Sequence, residues 1–111
     1  MALILVALAL IGTLTVFYNF WLFDCIIEWE YEHHRDQWEH DDKPRGFLRS
    51  VPKGCTPGKN GSAEQRLFFI WLFKTPAWSL QSLECRRWFV RRRIVTAATN
   101  LIILVLLLKL L

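Results

Sequence analysis

Residues 2–23 read ALILVALALIGTLTVFYNFWLF and carry no charged side chain. A helix rises about 1.5 Å per residue and the hydrocarbon core of a bilayer is about 30 Å thick, so roughly 20 apolar residues cross it. This stretch has that length. It lacks a basic leading segment, its apolar run exceeds that of a leader, and no small-x-small site lies near its end. It therefore reads as a retained span and not as a cleaved signal peptide.

The rest of the chain sorts the same way. Residues 94–108 (IVTAATNLIILVLLL) are uncharged, and only Lys109 interrupts the last 18 residues. The Lys109 stem is long enough to carry its ammonium to the far surface. All 10 acidic residues lie between Asp24 and Arg93, as do all the basic ones except Lys109. A soluble domain interleaves charge and apolar residues at short period. A 111-residue chain segregated like this one reads as a single all-α membrane protein. Two transmembrane helices, 1–23 and 94–111, are expected to form an antiparallel hairpin that extends beyond the membrane.

The basic residues orient the hairpin. RRWFVRRR sets Arg86, Arg87, Arg91, Arg92 and Arg93 directly before the second span. Cytoplasmic flanks carry the excess of Lys and Arg, while Asp and Glu weigh little. Both termini are therefore expected outside and the connecting segment in the cytoplasm. Cys25, Cys55 and Cys85 stand 30 residues apart with no CxxC pair. That spacing does not fit a zinc or iron–sulfur site, and cytoplasmic thiols stay reduced.

Four pieces make up the connecting segment. Residues 24–42 contain no Gly or Pro, and Tyr31, His34 and Trp38 fall on one helical face with Ile27. An acidic helical extension of the first span is expected, ending near residue 41, where Asp42-Lys43-Pro44 breaks it. Residues 43–61 hold three of the four prolines and read as a basic loop. Residues 62–74 form a short helix opened by a Ser62…Gln65 capping box. Its LFFIWLF run is apolar on every side yet too short to span, so it belongs in a protein core or in the membrane interface. Arg66, Trp71 and Lys74, with Arg93 and Lys109 at the span ends, suit lipid headgroups. Thr75-Pro76 then starts a basic helix over 75–93 that runs without interruption into the second span.

Charge divides these pieces. Residues 24–42 carry eight acids against Arg35, and residues 43–93 carry twelve basic residues against Glu64 and Glu84. In an antiparallel hairpin, positions counted up from 24 face positions counted down from 93. Glu28 is thereby expected to pair with Arg91 or Arg92, and Glu32 or Asp36 with Arg86 or Arg87. Basic residues in excess remain for anionic lipid. No nucleic-acid-binding motif occurs.

A metal site is the competing use of EWEYEHHRDQWEHDD, residues 28–42. Glu30 and His33 make a Glu-x-x-His pair, and Asp36 and His40 lie one turn apart. A di-iron carboxylate bundle needs two such pairs and two further Glu. The chain offers one, so the ion-paired helix is preferred, with Glu30, His33, Asp36 and His40 as the metal candidates. No Ser/His/Asp arrangement, phosphate loop or other catalytic motif is present, and no cofactor is expected. Asn19, Thr96, Thr99 and Asn100 read as helix-to-helix hydrogen-bonding groups.

Gln65-Arg66-Leu67 followed by aromatics, Cys85-Arg86-Arg87, and Arg92-Arg93-Ile94-Val95-Thr96-Ala97 resemble the universal stress protein B family. The first half of the chain shares with that family only its hydropathy. The resemblance implies a bacterial inner-membrane protein linked to envelope stress, with no active site to carry over. The sequence as a whole points to a non-enzymatic accessory subunit or scaffold of a larger membrane complex, or a homo-oligomer.

Overall fold

The structure, a computed structural model, describes residues 1–58 and 61–111. Lys59 and Asn60, part of the expected basic loop, lie outside the described residues. The described residues form helices and turns with no strand. Helix α1 runs over Ala2–His33, α2 over Arg35–His40, α3 over Ser62–Phe73 and α4 over Leu83–Leu110, with a 3-10 turn at Ala77–Gln81. α1 and α4 are both long and apolar enough to cross a membrane.

These two helices meet in opposite register. Asn19 Nδ2 donates to Thr96 Oγ1 at 2.7 Å, and Thr99 Oγ1 donates to Thr15 Oγ1 at 2.7 Å. One turn further, a methyl placed on Gly12 would lie 3.3 Å from Ile102 Cγ2. Small and hydroxyl residues thus let the backbones approach and hydrogen-bond, as apolar surroundings require. Asn100 plays no such part; it is exposed.

Above these helices sits a small core. Residues 22–27 of α1 are all buried. Around them pack Val51 of the loop, Leu67 and Trp71 of α3, Trp78 of the 3-10 turn, and Cys85 and Phe89 of α4. Phe23 is central, with ring centroids 5.2 Å from Phe47, 5.4 Å from Phe68 and 5.6 Å from Trp71. The apolar run of α3 is therefore used on one side only. Trp71 is 3% exposed, whereas Phe73 is 86% exposed.

Local structure departs from the sequence reading at three places. The first helix breaks at His34 (φ −137°, ψ 61°), seven residues early, and α2 follows as a separate piece. No Gly or Pro marks this break; the His34 ring lies 5.1 Å from Trp29 and 5.6 Å from Trp78. α2 then closes as expected near residue 41. Asp42 enters the left-handed region (φ 68°), Asp42 N donates to Glu39 O at 3.1 Å and Lys43 N to Trp38 O at 3.0 Å. These paired bonds satisfy the last carbonyls in a Schellman arrangement. Second, Gly61 (φ 58°) is the N-cap of α3, so the helix starts without the Ser62 cap. Third, Thr75-Pro76 does not open the last helix. Pro76 stays extended, the chain makes the 3-10 turn that buries Trp78, and Ser82 caps α4 by accepting Cys85 N at 3.3 Å.

Candidate functional site

The charged residues of the head divide into an inner set, bonded within the fold, and an outer set, exposed. The inner set begins with two neighbouring arginines of α4. Arg93 donates from Nε to Leu72 O (3.0 Å) and from Nη2 to Trp71 O (3.3 Å) and Thr75 Oγ1 (2.6 Å). Arg92 donates from Nη2 to Phe68 O at 2.8 Å and from Nε to Asn19 Oδ1 at 2.8 Å. The last carbonyls of a helix lack partners and carry partial negative charge. The Arg93 guanidinium satisfies two of them here, and with Arg92 on Phe68 O it fastens α3 to α4. Arg92 is 1% exposed, and its charge lies 4.2 Å from the centre of the Phe68 ring.

Asp24 is the second anchor. Its carboxylate accepts Phe47 N at 2.6 Å, Leu48 N at 2.8 Å and Arg49 N at 2.9 Å. One side chain so orders a whole turn of the loop. Gly46 is needed beside it, because a Cβ there would come within 2.8 Å of Asp24 Cγ and within 2.7 Å of Arg49 O. The loop then delivers Arg49, which lies 3.6 Å from Glu28 and 5.3 Å from the centre of the Trp21 ring. Neither Asp24 nor Arg49 stands out in the sequence, since their contacts link positions some 25 residues apart.

Glu30 is the third. It is 0% exposed, with no N–H donor or cation at either carboxyl oxygen among the described residues, and shares a hydrogen bond with the Asp41 carboxyl. Burial, then the neighbouring Asp41 carboxyl, push its pKa up to about 10, so it is protonated at neutral pH. Removing a charge from water without a counter-ion costs far more than binding a proton. Cys85 of α4 faces the same acid, and burial first and Glu30 second hold its thiol pKa high, at about 12.

The residues singled out in the sequence fall differently. Glu28 pairs with Arg49, not with Arg91 or Arg92. The docked loop occupies the side of α1 from which Glu28 was expected to reach α4. Arg92 is turned inward to Asn19 and Phe68. Glu32, Asp36, Arg86, Arg87 and Arg91 are all exposed, and no ion pair joins them. Arg66 pairs with Asp42 at 3.0 Å, closing the gap between α3 and the end of α2. Trp71 is a core residue and does not face outward, Arg93 caps α3, and Lys74 and Lys109 are exposed. The four metal candidates do not converge. Glu30 is buried, His33 stacks on Trp29 with centroids 4.6 Å apart, and the break at His34 diverts Asp36 and His40. Among the described residues no three His, Cys, Asp or Glu side chains could share a metal ion.

What remains outside is a groove of about 490 Å³ along α4, lined by Leu83, Arg86, Arg87, Val90 and Arg91. Leu83 is 57% and Val90 51% exposed. An apolar strip flanked by three arginines is suited to binding an acidic, partly apolar surface. No family model, curated protein or solved structure matches the chain.

Proposed function

We propose that this chain is a small non-enzymatic integral membrane protein that acts as an accessory subunit or scaffold of a membrane complex. In this reading α1 and α4 cross a bacterial inner membrane as an antiparallel hairpin over 1–23 and 94–111. Both termini lie outside. The head stands in the cytoplasm, with the exposed Phe69 and Phe73 face of α3 at the membrane interface and Lys74 beside anionic headgroups.

The observation that carries the reading is the arginine groove of α4, exposed and unmatched inside the fold, rising from an apolar helix. The inner charges support it too. Asp24, Arg92 and Arg93 bond backbone groups and stiffen the head, as a docking platform needs. Purification in mild detergent after chemical cross-linking in the membrane tests it. A complex larger than the 13.2 kDa chain is expected. A monomer with nothing attached would overturn the reading.

A further inference from the structure

A complement to the groove stands on α1 of the same molecule. Trp21, Glu28 and Glu32 share one face of α1, at i, i+7 and i+11, and Trp21 and Glu32 are exposed on it. On α4, Leu83, Val90 and Ile94 repeat the same spacing and are exposed, with Arg86, Arg87 and Arg91 beside them. Insertion in a bilayer fixes the height of each residue, so two copies of the chain can meet only side by side. Glu32 is nine residues beyond Phe23 and Arg86 eight residues before Ile94. At about 1.5 Å per residue, they stand about 14 Å and about 12 Å above their span ends. The heights match.

Charge selects among the contacts that geometry allows. Two copies meeting through α4 would oppose two rows of arginine, and two meeting through α1 would oppose Glu32 to Glu32. Like charges so placed repel, whereas α1 of one copy against α4 of the next brings acid to arginine. We propose that the Arg86/Arg87/Arg91 groove binds the Glu32 face of α1 of a second copy of this chain. The contact is head-to-tail, so each copy keeps one unused face and one unused groove, and copies join into rows or rings within the membrane. Within one copy the neighbouring acid, Glu28, is taken by Arg49 of the docked loop. This inference rests on the scaffold reading and names its partner.

Energy transfer between copies labelled at Cys55 tests it, in vesicles of zwitterionic lipid. Cys55 is the half-exposed cysteine, while Cys25 and Cys85 are buried. Three proteins are compared: the native chain, Arg86→Glu/Arg87→Glu, and Glu32→Arg. The native chain is expected to associate, and more weakly as salt rises. Each reversal alone is expected to associate about tenfold more weakly or worse. Mixing the two reversals, donor on one and acceptor on the other, is expected to restore transfer, because each supplies what the other lacks. Arg86→Gln/Arg87→Gln, which removes charge without adding repulsion, is expected to fall between the native chain and the reversal.

Reversals that associate like the native chain overturn the inference, as does a mixture that fails to recover while tryptophan fluorescence shows both proteins folded. So does association that requires anionic lipid, which would make lipid the bridge. A native chain that does not self-associate but holds a different protein through the same arginines overturns the inference and leaves the scaffold reading standing. A native chain that holds nothing overturns both.

Discussion

Replacing Glu30 by Gln is expected to stabilise the protein, increasingly so as pH rises. The wild-type carboxyl has a pKa of about 10 in the fold against an ordinary value of 4.5. A carboxyl whose pKa rises on folding holds its proton more tightly in the folded chain. Its contribution is therefore most favourable below pH 4.5 and is lost as pH climbs toward about 10. Across that window stability falls by about 1.4 kcal/mol per pH unit, which sets the loss at pH 7 at about 3 kcal/mol. Gln has the same shape and cannot ionise. Its amide donors still need partners in the buried site, and Asp41 offers an acceptor, so the net gain at pH 7 is expected at about 1–3 kcal/mol. The assay is unfolding in detergent micelles at pH 5.5, 7 and 8.5, read by tryptophan fluorescence. The quantity of interest is the difference between Glu30→Gln and wild type at each pH, because every other group is common to both. That difference should grow with pH. Parallel profiles would show that Glu30 is solvated or paired, and the argument from its burial would fail.

The inner anchors give further tests. Asp24→Asn keeps the shape but loses the charge that accepts three backbone N–H groups. It is expected to cost about 2–4 kcal/mol and to speed tryptic cleavage at Arg45 and Arg49, measured by unfolding and limited proteolysis. Arg93→Ala removes the fork that holds Leu72 O, Trp71 O and Thr75 Oγ1, for an expected loss of about 1–2 kcal/mol. Arg93→Lys should recover less than half of it, since an ammonium lacks the planar fork; full recovery would mean that charge alone matters. A membrane-impermeant maleimide should label Cys55 in inside-out vesicles and not in intact spheroplasts, while Cys25 and Cys85 should react only after denaturation. Labelling of Cys55 from outside would invert the proposed orientation.

Much of the helical framework was legible because its causes are local. An uncharged run long enough to cross a bilayer announces a helix, and residues 2–23 and 94–108 do so without reference to anything else. The stop after α2 was legible for the same reason, since Asp42-Lys43-Pro44 cannot continue a helix. The break at His34 was not legible, because it is fixed by Trp29 and by Trp78, far along the chain. Trp71 misled for a related cause: a tryptophan between Arg66 and Lys74 has the composition of an interface anchor. Only the fold reveals Phe23, Trp78 and Phe89 packed around it.

The ion pairs teach the sharper lesson. Matching heights along two antiparallel helices found residues of the right sign, yet Glu28 pairs with a loop arginine and Arg92 with backbone and amide oxygens. Height says nothing about which side of a helix is already occupied. Loop 44–58 covers α1 near Asp24, and α3 sits against α4 at Arg92 and Arg93. The nearest charges are thereby used on backbone groups, whose partners are fixed in place and lose little entropy on bonding. Charges further round each helix keep their height and sign but face outward. In the proposed contact, Glu32 and the α4 arginines, left unpaired within one copy, meet in a neighbouring copy. The mixing of the two charge-reversed chains distinguishes that arrangement from coincidence, because only a contact between copies restores association when neither chain alone has it.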